Sequence, residues 1–249
     1  KEKMVFWDEM DCDPQKCPYA KGHYDRINDA VYELWTKEEA FDRETILAQA
    51  EKYSVCPFEI TLDLAVWMDG IVCDYNYVFD PNVYLKRFFG ENIKGKYLFL
   101  IDEAHNLVDR GREMYSASLC KEEIESTRRF VRAHSSRLYR MLGKAAKQLE
   151  VLKEESSSSW QVLENAGTLP VTLLSIQGEM DKLLEEPPSQ EFVDGILEFY
   201  FAVRDFLNIA ELVDENYVTY VSTDEDGKFR MKLFCVNPAA NLQRCLDRG

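Results

Sequence analysis

The pattern of apolar and polar positions predicts an α/β segment followed by a long helical one. A continuous apolar run from Tyr97 to Ile101 is typical of a strand buried in a parallel sheet. A second run, Ile71 to Phe79, predicts another strand, and a helical pattern at 83–89 joins the two as a βαβ piece. Two strands do not make a stable sheet. We therefore expect the remaining strands to lie outside this chain, or this chain to provide few of them.

Helical periodicity predicts most of the remaining structure. Helices are expected near residues 27–35 and 43–53 and from Pro57 onward. Residues 119–212 are almost entirely helical in pattern, and their Ser-, Gly- and Pro-rich breaks predict four or five helices in an elongated bundle. Alternating residues at 218–222 and 229–233 predict a β-hairpin, and a last helix follows Asn237-Pro238. The predicted fold class is mixed α/β, mainly α.

Composition narrows the class of protein. With 249 residues, 46% of them hydrophobic and 30% charged, the chain should fold around a real core. No window approaches 18 uncharged apolar residues and the N-terminus lacks signal-peptide features, so we expect a cytoplasmic protein with no membrane partner. The chain does not begin with Met, which suggests an excised fragment. Seven cysteines, an odd number, favour metal-bound or free thiols in a reducing compartment.

The strongest candidate for a catalytic site is Asp102-Glu103-Ala104-His105, which directly follows the predicted strand at 97–101. Ligands of open α/β sheets gather at the carboxyl ends of such strands. In nucleotide hydrolysis one carboxylate of such a pair holds Mg²⁺ and the next orients the attacking water. The alternative is a strand that simply ends in solvated acids, but the four-residue pattern favours function.

A second stretch matches a nucleotide-binding motif, but its position in the predicted structure is wrong for that function. The stretch Gly90 to Lys96 fits the pattern G-x-x-x-x-G-K of a phosphate-binding loop. Tyr97 stands where Ser or Thr should contact Mg²⁺, and the stretch precedes a strand instead of opening a helix. We therefore reject it, and the chain supplies only half of an ATP site.

Three cysteines next to loop-forming residues form a candidate metal site. Cys12, Cys17 and Cys56 lie in or beside proline-containing loops with few apolar residues, which favours metal ligation over three buried thiols. His23 could be a fourth ligand. We interpret the other cysteines, which lie in strand or helix patterns, as buried thiols: Cys73, Cys120, Cys235 and Cys245.

A net charge of −15 argues against nucleic-acid binding, except in two places. Between Glu125 and Glu150 there is no acidic residue, and this interval holds a basic stripe, defined as Arg128, Arg129, Arg132, Arg137, Arg140, Lys144 and Lys147. Its last four members share one helical face and could follow a phosphate backbone. A solvated face paired with nearby acids explains the stripe equally well. A smaller cluster comprises Lys21, His23 and Arg26.

These motifs occur together, in the same order, in a known family. The order is Cys17-Pro18-Tyr19, Cys56-Pro57-Phe58, Asp74 to Pro81, Asp102 to Leu107, and Leu233 to Pro238. It resembles the XPD/DinG family of superfamily 2 DNA helicases, especially the bacterial DinG-like branch. The resemblance implies an iron–sulfur domain at 1–58, part of a RecA-like motor domain with the DEAH box at 59–118, and a helical arch at 119–228. A strand and helix at 229–249 would then return to the motor.

The same resemblance implies roles for single residues. Asp102 would hold Mg²⁺, Glu103 would position the water that attacks ATP, and His105 would link the nucleotide state to the other motor domain. Cys12, Cys17 and Cys56 would bind a 4Fe–4S cluster, although no fourth cysteine stands near Val5, where one would align.

The implied substrate is single-stranded or forked DNA, moved 5′→3′ between the arch and an iron–sulfur wedge. The contacting residues would be Lys21, His23, Arg26, Phe58, Arg128, Arg132, Arg137, Arg140 and Lys144. The partner would be the remainder of the helicase motor. Without a phosphate-binding loop, the isolated chain is expected to be inactive.

Two other hypotheses remain open at this stage. The chain could be a non-enzymatic helical interaction module with a small zinc or free-thiol site, in which Asp102 and Glu103 only cap the next helix. It could also keep the family fold with an iron–sulfur domain that holds no cluster and is stabilised by packing alone.

Overall fold

The computed structural model describes residues 17–90, 93, 95–156 and 158–248. The chain divides into two compact units, Lys1–Asp74 and Tyr75–Gly249. The fold is mixed and mainly helical, as predicted. Within the described ranges, none of the helices combines the length and the apolar character that crossing a membrane requires.

The first unit contains three helices, α1 (His23–Lys37), α2 (Arg43–Tyr53) and α3 (Pro57–Ala65). They confirm the helical predictions for this region. Asp42 accepts a hydrogen bond from the Thr45 N–H at 2.8 Å and thereby caps α2, and Pro57 occupies the first turn of α3. The apolar faces of the helices meet in a small core formed by Ile27, Ala30, Leu34, Ile46, Ala50, Val55, Ile60 and Leu64.

The second unit combines helices with one small sheet. It begins with three short helices, α4 (Asn76–Phe79), α5 (Lys86–Phe89) and, after a 3₁₀ turn at Ala104–Asn106, α6 (Leu107–Met114). The long helices are α7 (Lys121–Val131), α8 (Ser136–Glu155), α9 (Leu169–Glu185) and α10 (Gln190–Ala210), and α11 (Ala239–Leu246) is the last. The four long helices confirm the predicted helical region.

The sheet contains β1 (Ala117–Cys120), β2 (Trp160–Leu163), β3 (Tyr217–Thr223) and β4 (Phe229–Cys235). All neighbours are antiparallel in the order β1-β4-β3-β2, and Val221 pairs with Met231 in the predicted hairpin. Alternate side chains of β3 and β4 point into the core, where Phe192 and Phe206 of α10 are fully buried. One face of the sheet is therefore covered by helices.

The two predicted parallel strands are not formed. Residues 71–74 have no regular structure, Asn76–Phe79 is helical, and the described part of 95–101 contains no strand. Val72, Leu98 and Leu100 are 103%, 87% and 89% exposed. A strand is stable only beside hydrogen-bonded neighbours, and the described residues provide none for these segments. The predictions of strands at 71–79 and 97–101 are therefore wrong for this structure, and the RecA-like parallel-sheet fragment stays a prediction.

Candidate functional site

The DEAH sequence forms an exposed turn at the start of α6. Asp102 and Glu103 form the turn, Ala104–Asn106 continues as one 3₁₀ turn, and α6 follows. Leu107 is buried, and Gly111 lies so close to Pro238 that an added Cβ would be 3.0 Å from the proline ring. The helix behind the turn is thus packed against the start of α11, while all four DEAH residues face solvent.

Hydrogen bonds fix the backbone of this turn and leave its carboxylates accessible. The Tyr75 hydroxyl donates to the carbonyl of Asp102, and the Asn106 N–H donates to the carbonyl of Glu103 at 2.8 Å. One Asp102 carboxylate oxygen accepts the Glu103 N–H at 2.9 Å. His105 Nε2 lies 3.3 Å from Glu103 Oε2, with both side chains more than 60% exposed. Exposed carboxylate oxygens of this kind suit Mg²⁺.

Glu103 adopts an unusual backbone conformation. Its φ of 48° and ψ of 40° are left-handed, a region that costs a residue with a Cβ about 1–2 kcal/mol. Among the described residues, Ser54 and Glu103 are the non-glycine residues with positive φ, and Ser54 is explained as the cap that ends α2. Glu103 precedes a helix, and its side chain makes no capping hydrogen bond. Left-handed residues other than glycine cluster at functional positions, where the surrounding structure holds the strained backbone.

Tyr75 is a positioning residue that the sequence reasoning missed. The sequence pattern predicts a strand here, but Tyr75 directly precedes the short helix α4 and its hydroxyl donates to the Asp102 carbonyl. The signal was available, because Tyr75 lies within the Asp74 to Pro81 motif that carried the family resemblance.

Two of the three cysteines of the candidate metal site lie within the described residues. Cys12 lies outside the described residues. Cys17 is half-buried and Cys56 is buried at the start of α3, where its N–H donates to His23 Nδ1 at 3.3 Å. No group of three His, Cys, Asp or Glu side chains in the described part is placed to hold a metal. These residues alone therefore do not form a cluster site, because a 4Fe–4S cluster is held by about four thiolates.

The remaining cysteines largely follow the prediction. Cys120, Cys235 and Cys245 are buried, as expected of structural thiols. Cys73 was also predicted to be buried, but it is exposed because residues 71–74 do not form the expected strand.

The smaller basic cluster is closely tied to the fold of the first unit. The Arg26 guanidinium donates to the carbonyls of Tyr53 and Ser54 at 2.7 Å and of Lys21 at 2.8 Å. His23 is buried, Lys21 is exposed and Phe58 is half-buried in the first turn of α3. Within the smaller cluster, Lys21 is therefore the exposed cation, while the guanidinium of Arg26 is engaged with three carbonyls.

The basic stripe divides into bound and accessible cations. Arg128 stacks on the Tyr139 ring, with 4.4 Å between the guanidinium carbon and the ring centre. Arg137 pairs with Glu179 at 3.1 Å. The other members are exposed and form no ion pair within the described ranges: Arg129, Arg132, Arg140, Lys144 and Lys147. Three of these exposed cations, Arg140, Lys144 and Lys147, therefore lie on the solvent side of α8.

Comparison with known proteins identifies relatives. Residues 3–124 match the DEAD_2 family. The chain is 33% identical over 90 residues to the chicken Fanconi anemia group J protein homolog, covering 36% of this chain and 7% of that protein. It is 21% identical over 199 residues to the ATP-dependent DNA helicase CHL1 of Kluyveromyces lactis, an alignment that covers 80% of this chain and 22% of that protein. It is 23% identical over 218 residues to the Regulator of telomere elongation helicase 1 homolog of Anopheles gambiae, an alignment that covers 83% of this chain and 20% of that protein.

The DEAD_2 match covers the resembling motifs between Cys17 and Leu107, whereas the motif from Leu233 to Pro238 lies outside it. The chain spans between 7% and 22% of the length of these three relatives. They are proteins of a bird, a yeast and an insect, and the finer assignment to a bacterial DinG-like branch stays a prediction. The DEAD_2 match over residues 3–124 and these three relatives agree with the resemblance of the chain's motifs to the XPD/DinG family.

Proposed function

We propose that this chain is part of an ATP-dependent DNA helicase and carries its DEAH box, iron–sulfur region and arch. The observation that carries the proposal is the exposed turn at 102–105, in which Glu103 is held in a left-handed conformation inside the matched region. We retain the domain boundaries 1–58, 59–118, 119–228 and 229–249 as part of the proposal. A DNA-processing protein of this kind would work in a bacterial cytoplasm or in a nucleus.

Three residues of the turn have a role in this proposal. Asp102 binds the Mg²⁺ that accompanies ATP, Glu103 positions the attacking water, and His105 communicates with the second motor domain. The 3.3 Å contact between His105 and Glu103 supports such communication, because a shift of one side chain alters the other. The role of a simple helix cap has less support, since Glu103 makes no capping hydrogen bond. The rejected loop at Gly90 to Lys96 leaves the isolated chain without a phosphate-binding loop, so we expect no ATPase activity from it alone.

The proposed DNA path follows the accessible cations. Arg132, Arg140 and Lys144 are exposed and have no ion pair within the described part of the chain, so they can neutralise phosphates. Arg128 and Arg26 are already engaged with Tyr139 and with three carbonyls, and we expect them to contribute less. The 5′→3′ direction and the splitting of the duplex at an iron–sulfur wedge come from the family resemblance.

The cofactor assignment concerns the cysteines of the first unit. We propose that Cys12, Cys17 and Cys56 hold the iron–sulfur cluster of the family, or what this chain retains of it. Iron, sulfide and zinc analysis of the anaerobically purified chain tests this, with Cys56→Ser beside the exposed Cys73→Ser as its control. Iron that is lost only in Cys56→Ser supports the cluster, and a chain free of iron contradicts it.

Charge reversal on α8 tests the DNA path. In Arg140→Glu/Lys144→Glu, we expect weaker binding of single-stranded DNA and a shallower dependence of log K on log salt, by about 0.7 for each lost phosphate contact. Fluorescence anisotropy at several salt concentrations measures both quantities. Lys182→Glu, an exposed cation on α9, is the matched control. Unchanged affinity and slope in the double variant would show that the stripe is only a solvated face.

A further inference from the structure

The sheet of the second unit has one covered face and one open face. Helices α7, α8 and α10 contact the strands, and the inward side chains of β3 and β4 are buried. The side chains at 218, 220 and 222 of β3 and at 230, 232 and 234 of β4 point the other way and remain partly exposed. In β2, Trp160 and Val162 are 59% and 51% exposed. We refer to these outward positions as the open sheet face.

Aromatic rings are spread over the open sheet face. The ring centres of Trp160 and Tyr220 are 6.2 Å apart, and Phe234 lies on the neighbouring strand β4. Tyr220 is paired in register with Lys232, and Trp160 with Ser222, so the rings and the lysine share one side of the sheet. This arrangement offers several flat, partly exposed surfaces on which planar ligands can stack.

The charge of the open sheet face is unlike that of the chain. None of its outward strand positions holds a carboxylate, although the chain contains 45 Asp and Glu residues. Lys232 forms no ion pair among the described residues, and its Nζ lies 5.2 Å from the centre of the Phe234 ring. Arg230 is paired with Asp224 of the adjoining turn at 3.3 Å. The face therefore favours a ligand that is planar and negatively charged.

Single-stranded nucleic acid is the ligand class that has both properties. Bases stack on aromatic side chains of an open antiparallel sheet, and phosphates pair with cations beside them. A duplex fits less well, because its bases are already stacked and cannot reach the rings. We propose that the open sheet face binds single-stranded DNA, with bases on Trp160 and Tyr220 and a phosphate at Lys232. The choice of DNA over RNA depends on the proposed function, whereas the stacking surface does not.

Substitution of the rings in the full 249-residue chain tests the proposal. The probe is a fluorescein-labelled oligothymidylate, followed by fluorescence anisotropy. Trp160→Ala and Tyr220→Ala should each weaken binding roughly tenfold, about 1.4 kcal/mol, because each removes the ring on which one base stacks. Trp160→Phe should keep the affinity but lose the quenching of tryptophan fluorescence on binding. Trp35→Ala, which removes a tryptophan that is 54% exposed in the first unit, is the matched control.

The outcomes separate this surface from the basic stripe on α8. Thermal unfolding by circular dichroism first shows that each variant is folded. Lower affinity in both ring variants and in Lys232→Glu, with Trp35→Ala unchanged, supports the open sheet face. Unchanged affinity in the ring variants overturns the proposal for the open sheet face. This holds even if Arg140→Glu/Lys144→Glu loses binding, a result that would support the basic stripe alone. Tighter binding of an oligouridylate, lost in the same variants, overturns the choice of DNA. Absence of any single-stranded DNA binding also overturns the proposal and leaves the face to a protein partner.

Discussion

At the scale of single residues, the structure contains a carboxyl group whose ionised form the fold disfavours. Asp80 follows α4 and lies in a cavity of about 150 Å³ that is also lined by Tyr115, Arg244 and Arg248. Burial raises its pKa to about 6, and the nearby negative charge of Asp205 adds to the effect. The two arginines form no ion pair with Asp80 in the described structure, so they do not offset the cost of burial.

This raised pKa predicts a loss of stability as the pH increases. The folded chain binds the Asp80 proton more tightly than the unfolded chain, whose pKa is near 3.8. The stabilisation is complete below that value and disappears as the pH rises through about 6. We expect the free energy of unfolding to fall by about 1 kcal/mol from about pH 5 to about pH 7.5 because of this group. Asp80→Asn should remove that part of the pH dependence.

Urea unfolding at the two pH values measures the difference. The asparagine keeps an oxygen that can accept the Asn82 N–H, which donates to Asp80 at 2.8 Å, so the variant should fold. Asp69→Asn changes an exposed carboxyl group and serves as the control. An equal pH dependence in wild type and Asp80→Asn would show that Asp80 ionises normally in the folded chain.

At the scale of elements, two helical glycines respond oppositely to the same substitution. A Cβ at Gly195 of α10 would lie 2.3 Å from the ring of Phe130 on α7, whereas a Cβ at Gly178 of α9 would have no neighbour within 4 Å. Alanine in an unobstructed helix is more stable than glycine by about 1 kcal/mol. Overpacking costs about 1–3 kcal/mol. We therefore expect Gly178→Ala to raise the melting temperature and Gly195→Ala to lower it.

A double-mutant cycle identifies the cause of the second effect. If the Phe130 ring is the obstacle, Gly195→Ala should no longer destabilise a chain that also carries Phe130→Ala. Thermal unfolding of the four proteins provides the comparison. Equal destabilisation in both backgrounds would place the strain elsewhere in α10.

Helices were predictable from the sequence because their signals are local. The period of 3.6 residues marks α7 to α10, and Ser135 and Ser189 cap α8 and α10 by accepting backbone N–H groups at 3.1 Å. Strands depend on partners that a local pattern does not reveal, and the predictions for 71–79 and 97–101 failed for that reason. β1 and β2, with four residues each, are too short for a clear alternation.

The candidate site shows the same division between local and distant signals. The DEAH motif identified Asp102, Glu103 and His105, because the motif consists of four consecutive residues and can be recognised from the sequence alone. The left-handed backbone of Glu103 and the support from Tyr75 depend on packing between separate segments. The open sheet face was missed because Trp160 and Tyr220 are 60 residues apart and meet only through the pairing of β2 with β3.

At the scale of the whole molecule, the apolar segment of the second unit that precedes the DEAH turn contains two leucines that are almost fully exposed. That unit buries large residues such as Phe192 completely, whereas Leu98 and Leu100 are 87% and 89% exposed. In the proposed helicase, strands from the remainder of the motor would pair with this segment and cover it. An exposed apolar segment of this kind favours self-association of the isolated chain.

Lysine substitution at the two leucines tests whether this segment is unpacked in the isolated chain. Leu98→Lys/Leu100→Lys should leave the melting temperature nearly unchanged, because exposed side chains contribute little to the core. It should also reduce self-association, measured by sedimentation velocity. Phe192→Ala provides the contrast, since deleting a fully buried ring costs about 3–5 kcal/mol. A large fall in melting temperature in the lysine variant would show instead that the segment is packed within this chain, and that it needs no further strands.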